Sequence, residues 1–136
     1  MTKGDILGQW EFHVTAGKIR EFARAVHDTQ SGDGAIAPPT FPMVASADFV
    51  EHLVTTLLDI DRTRTVHGEQ AFDYVRPIVA GDVLRCKAYL VGDEMKQGKR
   101  GGRMRVITTV IEYSSAADGE LICRETMTSI EKAAAA

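Results

Sequence analysis

Val83-Leu84-Arg85-Cys86-Lys87-Ala88-Tyr89-Leu90-Val91 is the stretch on which the fold turns. Leu84, Cys86, Ala88 and Leu90 fall on every second position, with Arg85 and Lys87 between them. Successive side chains of a strand point to opposite faces, so this spacing gives one buried face and one wet one. The segments Thr65 to Tyr74, Arg103 to Ser114 and Glu120 to Ile130 share its richness in Val, Ile, Thr and Tyr, residues that suit a pleated, half-buried surface. Between them lie Ala80-Gly81-Asp82, Lys96 to Gly102 and Ala117-Asp118-Gly119, the last with an Asp-Gly pair that favours a tight hairpin. Four long strands joined this way form an antiparallel run.

Upstream the period changes. Gln9 to Val14 suits a first strand, and Thr15 can cap a short helix in which Ile19, Phe22, Ala23 and Val26 recur at i, i+3, i+4 and i+7. From Thr29 to Pro42 the chain is Gly, Ser, Asp, Ala and Pro, and Pro38-Pro39 forbids regular helix by fixing φ and removing two amide donors. Met43 to Asp59 then reads as the longest helix, with a broad apolar stripe of Ala47, Val50, Leu53, Val54, Leu57 and Leu58. The order predicts one α+β domain over residues 1–136: a curved antiparallel sheet wrapped around one long central helix. The Ala133 to Ala136 tail reads as a frayed end.

Composition narrows the function. Among 136 residues, 44% are apolar and 26% charged, ordinary for a single globular domain. A net charge of −3 supplies no general field for a polyanion, so nucleic acid is not expected as a partner. No stretch approaches the roughly 18 apolar residues that span a bilayer, and Met1 to Asp5 opens no cleavable leader; a cytoplasmic protein without membrane contact is expected. Cys86 and Cys123 sit in alternating apolar patterns and read as reduced core residues. Metal and cofactor are not expected: His13, His27 and His52 lack ligand spacing, and no HExxH, CxxC, Gly-x-Ser-x-Gly or Walker-type pattern occurs.

Arg76-Pro77-Ile78-Val79-Ala80-Gly81-Asp82-Val83-Leu84, preceded by Phe72-Asp73-Tyr74, resembles the P-[IV]-x-A-G-D-x-L segment of MaoC-like hot-dog enzymes. Ile19 to Ala23 resembles that family's first helix, Ala37-Pro38-Pro39-Thr40-Phe41 its approach to the central helix, and Gly119 to Thr128 its last strand. The similarity runs along nearly the whole chain in order. It is nearest to the subclass with the accessory, chain-binding subunits of mycolic-acid (3R)-hydroxyacyl-carrier-protein dehydratase, related to N-terminal MaoC dehydratase domains. The resemblance implies a hot-dog fold and two hot-dogs packed side by side, with an acyl tunnel between helix and sheet. It also implies interconversion of (3R)-hydroxyacyl and trans-2-enoyl thioesters of coenzyme A or acyl carrier protein.

Hydration of an enoyl thioester needs a base for water, a proton donor for the α-carbon and amide donors for the enolate oxygen. The family supplies the first two with an Asp followed five positions later by His. Here the alignment puts Asp28 at the Asp, and five positions on stands Asp33. An imidazole with a reference pKa of about 6.5 trades protons near neutrality, whereas an ordinary Asp at about 3.9 is ionised. Asp28 and Asp33 remain catalytic candidates if they share a proton; otherwise they form a solvated loop in which Asp28 caps the helix end. The family's Ala-His-Gly, whose Gly amide holds the thioester oxygen, is replaced by Ala37-Pro38-Pro39, leaving the amides of Thr40 and Phe41 to substitute.

Pro39, Thr40, Phe41, His67, Tyr74 and Gly81 are therefore the substrate-binding candidates, His67 reading equally as a structural strand residue. Lys96, Lys99, Arg100, Arg103 and Arg105 gather on one Gly-rich hairpin, suited either to the phosphates of coenzyme A or an acidic carrier protein, or to blocking edge pairing. The expected role is an acyl-binding subunit with degenerate catalytic residues, forming a homodimer or a heterodimer with a catalytic hot-dog. The alternatives are a self-sufficient hydratase or thioesterase homodimer and a non-enzymatic acyl-thioester binder.

Overall fold

The computed structural model describes residues 3–134; expectations made for residues 1, 2, 135 and 136 lie outside the described residues. The elements run β1 (Ile6–His13), α1 (Ala16–Ala25), α2 (Pro42–His52), which continues as one π turn (Leu53–Leu57), a short 3-10 turn (Arg62–Arg64), β2 (Thr65–Tyr74), β3 (Val83–Gln97), β4 (Arg103–Ser115) and β5 (Leu121–Glu131). All five strands form one antiparallel sheet in the order β1-β3-β4-β5-β2. The inner face of β3 is made by Leu84, Cys86, Ala88 and Leu90, all buried, with Arg85 and Lys87 exposed between them.

The helix lies across that face. Ala45 of α2 packs with Leu84, Cys86, Ala88, Ile111 and Tyr113, and Leu53 at its far end packs with Leu90, Ile107 and Met127. This is the expected sheet around a helix, the hot-dog arrangement. The helical run ends at Leu57, two residues before the expected Asp59, because Leu58 turns to extended backbone after its N–H closes on the Leu53 carbonyl at 2.9 Å. Of the expected stripe, Leu53 and Leu58 are buried in the core and Val50 and Leu57 pack against it, whereas Ala47 is exposed. Ala45 and Phe49 join that inward face, Phe49 stacking on Trp10 of β1 with ring centroids 4.8 Å apart.

The other helix and strand boundaries have equally local causes. Thr15 caps α1 as expected, its hydroxyl accepting from Lys18 N–H at 3.1 Å, while Val26 is the exposed C-cap rather than part of the apolar face. The first strand starts at Ile6 and stops before Val14, whose amide instead reaches the Asp82 carbonyl at 2.8 Å. β3 runs six residues past the expected Val91, held by ladder pairing of Asp93 to Gln97 with Arg103 to Ile107 and not by burial. Cys86 and Cys123 are buried free thiols, as expected.

Candidate functional site

Between α1 and α2 the chain makes a tight loop fastened from both ends. After the C-cap, His27 takes a left-handed φ of 59°, and Asp28 N–H bonds the Ala23 carbonyl at 2.8 Å. Gly34, at φ 78°, is buried against the start of α1, where a Cβ would meet the Ala16 carbonyl oxygen at 2.6 Å; only glycine permits that approach. The far side of the loop is stitched to the Arg76–Leu84 motif: Ile36 bridges Val79, Ala37 N–H bonds the Ile78 carbonyl at 2.8 Å, and Ala80 N–H bonds the Ala35 carbonyl at 3.0 Å.

The motif is itself locked by one carboxylate. Arg76 forks onto Asp82 at 2.9 and 3.0 Å, and Asp82 also accepts the Val79 N–H at 2.9 Å. Burial opposes the charge on Asp82, but the guanidinium and the amide outweigh it and hold the carboxyl below its usual range. The turn is completed by Gly81, whose N–H bonds the Val14 carbonyl at 2.8 Å.

Loop and motif enclose a cleft of about 490 Å³. Asp28, Ser31 and Pro39 line it from the loop, Tyr74 and Val75 from the end of β2, and Ile36 and Arg76 from its rim. The Tyr74 hydroxyl donates to the Pro39 carbonyl and so ties strand to loop. Ile36 and Val75 are 53% and 70% exposed and give the opening an aliphatic rim.

Three of the residues expected at the site, Asp28, Pro39 and Tyr74, thus meet in one cleft. Asp28 turns its carboxylate inward on the loop: Oδ1 accepts from Gln30 N–H (2.8 Å) and Ser31 N–H (3.2 Å), and Oδ2 from the Ser31 hydroxyl (3.2 Å). Asp33 stands exposed off the cleft, its Oδ1 accepting the Ala35 N–H at 2.9 Å. Gly81 is exposed in its turn, also off the lining. Phe41 is fully buried between the edges of Phe12 and Phe22, and its amide is occupied by the Pro38 carbonyl at 3.0 Å. Thr40 is exposed at the start of α2, and His67 is exposed on β2, opposite Ser129 of β5. Among the described residues, no group of His, Cys, Asp and Glu is arranged to hold a metal ion.

Sequence reasoning missed a polar group in the core. Glu125, 1% exposed, stands on the inner face of β5 between Cys123 and Met127. Gln70 Nε2 donates to its Oε2, and the Tyr113 hydroxyl lies 2.6 Å from Oε1 and 3.2 Å from the Pro42 carbonyl. The Tyr113 hydroxyl donates to Glu125 Oε1, the shorter contact, and the Pro42 carbonyl accepts more weakly from the same hydroxyl. Burial pushes the Glu125 carboxyl up against the pull of the Tyr113 and Gln70 bonds. The signal lay in the period: alternation from Cys123 puts Glu125 on the buried face.

A five-stranded antiparallel sheet around a central helix, with a cleft at the β2 end, defines the class as a hot-dog protein. The chain belongs to the family described as FAS1-like, dehydratase domain region, which matches residues 2–125, and is thus a member of the MaoC-like hot-dog dehydratases. It is 46% identical over 85 residues to the UPF0336 protein of Tropheryma whipplei strain Twist, covering 54% of this chain and about three fifths (61%) of that relative. In structure it is similar to a chain of the C-terminally truncated HadBC (3R-hydroxyacyl-ACP dehydratase) complex of Mycobacterium tuberculosis, with TM-score 0.70, 25% identity and coverage of 94% and 96% of the two chains. A second likeness, to a protein described as a MaoC-like dehydratase, has TM-score 0.75 at 23% identity, covering 96% of this chain and 43% of that one. Among the described residues no helix is long and apolar enough to cross a membrane.

Proposed function

We propose that this chain is the acyl-binding subunit of a (3R)-hydroxyacyl- or enoyl-thioester dehydratase, pairing with a second hot-dog that carries the proton-transfer residues. The observation that carries the reading is the state of the two carboxylates. Asp28 and Asp33 are each satisfied by amides of their own loop, and the pair lacks an imidazole to take and return a proton near neutrality. Phe41's amide is engaged, and Pro38 and Pro39 have none, so the start of α2 is poor in free donors for an enolate oxygen. Ile36 and Val75 supply an aliphatic rim, as binding of an alkyl chain requires.

The partner is argued from the sheet. β2 pairs with β5 on one side only, leaving an open edge beside the cleft, and an edge of 10 residues is normally covered or blunted. The likeness to a chain of a two-subunit dehydratase complex supports a hot-dog as the cover. Incubating the purified chain with crotonyl-coenzyme A while following the enoyl absorbance tests the role. The expected result is silence alone and hydration when the chain is co-expressed with a hot-dog bearing Asp and His. One observation favours a second reading, a self-sufficient hydratase: Asp28 does line the cleft. Hydration by the chain alone that is lost in Asp28→Asn establishes that reading; thiol release instead identifies a thioesterase.

A further inference from the structure

The β3–β4 hairpin closes a concavity of about 460 Å³ at the opposite end of the sheet from the cleft, lined by Lys99, Arg100, Arg103, Met104 and Lys132. None of its four cations is ion-paired among the described residues. The acids nearest in sequence and register already have partners. Arg105 holds Asp93 at 2.7 Å, Lys96 faces Glu94 at 4.0 Å, Arg64 holds Asp61 at 3.1 Å, and a Glu131 oxygen accepts the Asp61 amide. Four cations without an ion-pair partner among the described residues thus share one hollow on a chain whose net charge is −3.

Its backbone is fastened. Gly98 N–H bonds the Gly102 carbonyl at 2.8 Å, Gly101 N–H bonds the Gly98 carbonyl at 3.2 Å, and Lys132 N–H bonds the Arg64 carbonyl at 2.9 Å. Gly102, at φ 80°, lets the chain end pass close: a Cβ there would stand 3.0 Å from that of Ala133. Like charges brought together without a counter-anion repel one another, an arrangement that a bound polyanion relieves. The overall negative charge disfavours a long polyanion, so a compact group fits better than a nucleic-acid strand.

We propose that this hollow binds phosphate groups, and that its ligand is the phosphate-bearing end of a pantetheine-linked thioester. The identity of the ligand rests on the function proposed above; the phosphate site does not. Lys132 adjoins the Thr65 end of β2, about 30 Å along the strand from Tyr74 and the chain's own cleft. When two hot-dogs pair antiparallel along β2, the Thr65 end of one lies beside the Tyr74 end of the other. The hollow therefore serves the partner's cleft, where it receives the phosphates of a thioester whose acyl group reacts there.

Calorimetric titration of the full chain at low salt with coenzyme A, 3′-dephospho-coenzyme A and a phosphopantetheine-loaded carrier protein tests this, against the quadruple variant Lys99→Gln, Arg100→Gln, Arg103→Gln and Lys132→Gln. Coenzyme A or the loaded carrier should bind, more weakly as salt rises, and the variant should lose about tenfold or more in affinity at unchanged melting temperature. Loss of affinity on removing the 3′-phosphate identifies the nucleotide as the source; indifference to it together with tight carrier binding identifies the pantetheine phosphodiester. Equal binding by wild type and variant, no binding of any phosphate probe, or tighter binding of an RNA oligonucleotide overturns the proposal. In an active reconstituted pair the variant should raise KM for crotonyl-coenzyme A about tenfold and leave kcat within about twofold. An unchanged KM in an active pair overturns the assignment to the partner's cleft, whereas phosphate binding without activity in any pair leaves the site standing and removes the proposed function.

Discussion

Glu125 is held in the core by Gln70 and by Tyr113, whose hydroxyl also reaches the Pro42 carbonyl. Glutamine keeps an oxygen to accept from these donors and removes the charge that burial disfavours, so Glu125→Gln should keep or raise stability at neutral pH. Glu125→Ala strands Gln70 and Tyr113 beside a new cavity and should cost about 2–5 kcal/mol in urea unfolding. Because the folded-state pKa is raised, this proton's contribution is full below the unfolded value near 4.5 and is lost as pH rises through the folded value. Urea midpoints measured from pH 5 upward should therefore fall more in wild type than in Glu125→Gln. Asp82 works with the opposite sign: its depressed pKa contributes stability above the unfolded value of 3.8 that disappears as pH falls through the folded one. Asp82→Ala should cost about 1–3 kcal/mol at pH 7, and its deficit relative to wild type should shrink in acid titrations.

The loop between the two helices is the element that converts fold into site, and its seat is Gly34. Gly34→Ala requires both a left-handed alanine and a displacement of the Ala16 carbonyl, so about 1–3 kcal/mol of stability should be lost, read as a lower melting temperature with faster amide exchange at Ala37 and Ala80. How legible each element was follows from what holds it. β2 to β5 and the Thr15 cap could be read from the chain because local period and turn chemistry alone decide them. The inward place of Phe49 on α2 could not, since it depends on Phe49 finding Trp10 about 40 residues away, and neither could the extra length of β3, which hydrogen bonds and not burial sustain. At the candidate site, chain order brought Asp28, Pro39 and Tyr74 into view, but only the folded loop reveals that Phe41 faces the core and that Asp33 accepts the Ala35 amide. The Glu125 network was visible only as one acid at an inward position, whose partners on β2 and β4 are set by register.

At the scale of the whole molecule, the open β2 edge, the aliphatic cleft rim and the four cations of the hollow, without an ion pair among the described residues, bear on the assembly proposed above. In the isolated subunit Val75 and Ile36 stand in water, and the hollow lies about 30 Å along β2 from the cleft. The proposed antiparallel pairing along β2 would cover the rim and set each hollow beside the opposite cleft. The two side chains are exposed in the isolated subunit, so Ile36→Asp combined with Val75→Asp should leave its melting temperature within about 2 °C. In the assembly the same charges meet apolar surface or a like-charged edge, and association should weaken by at least about tenfold in sedimentation equilibrium. Unchanged association by that double variant would place the interface away from the cleft and separate the hollow from any acyl group bound there.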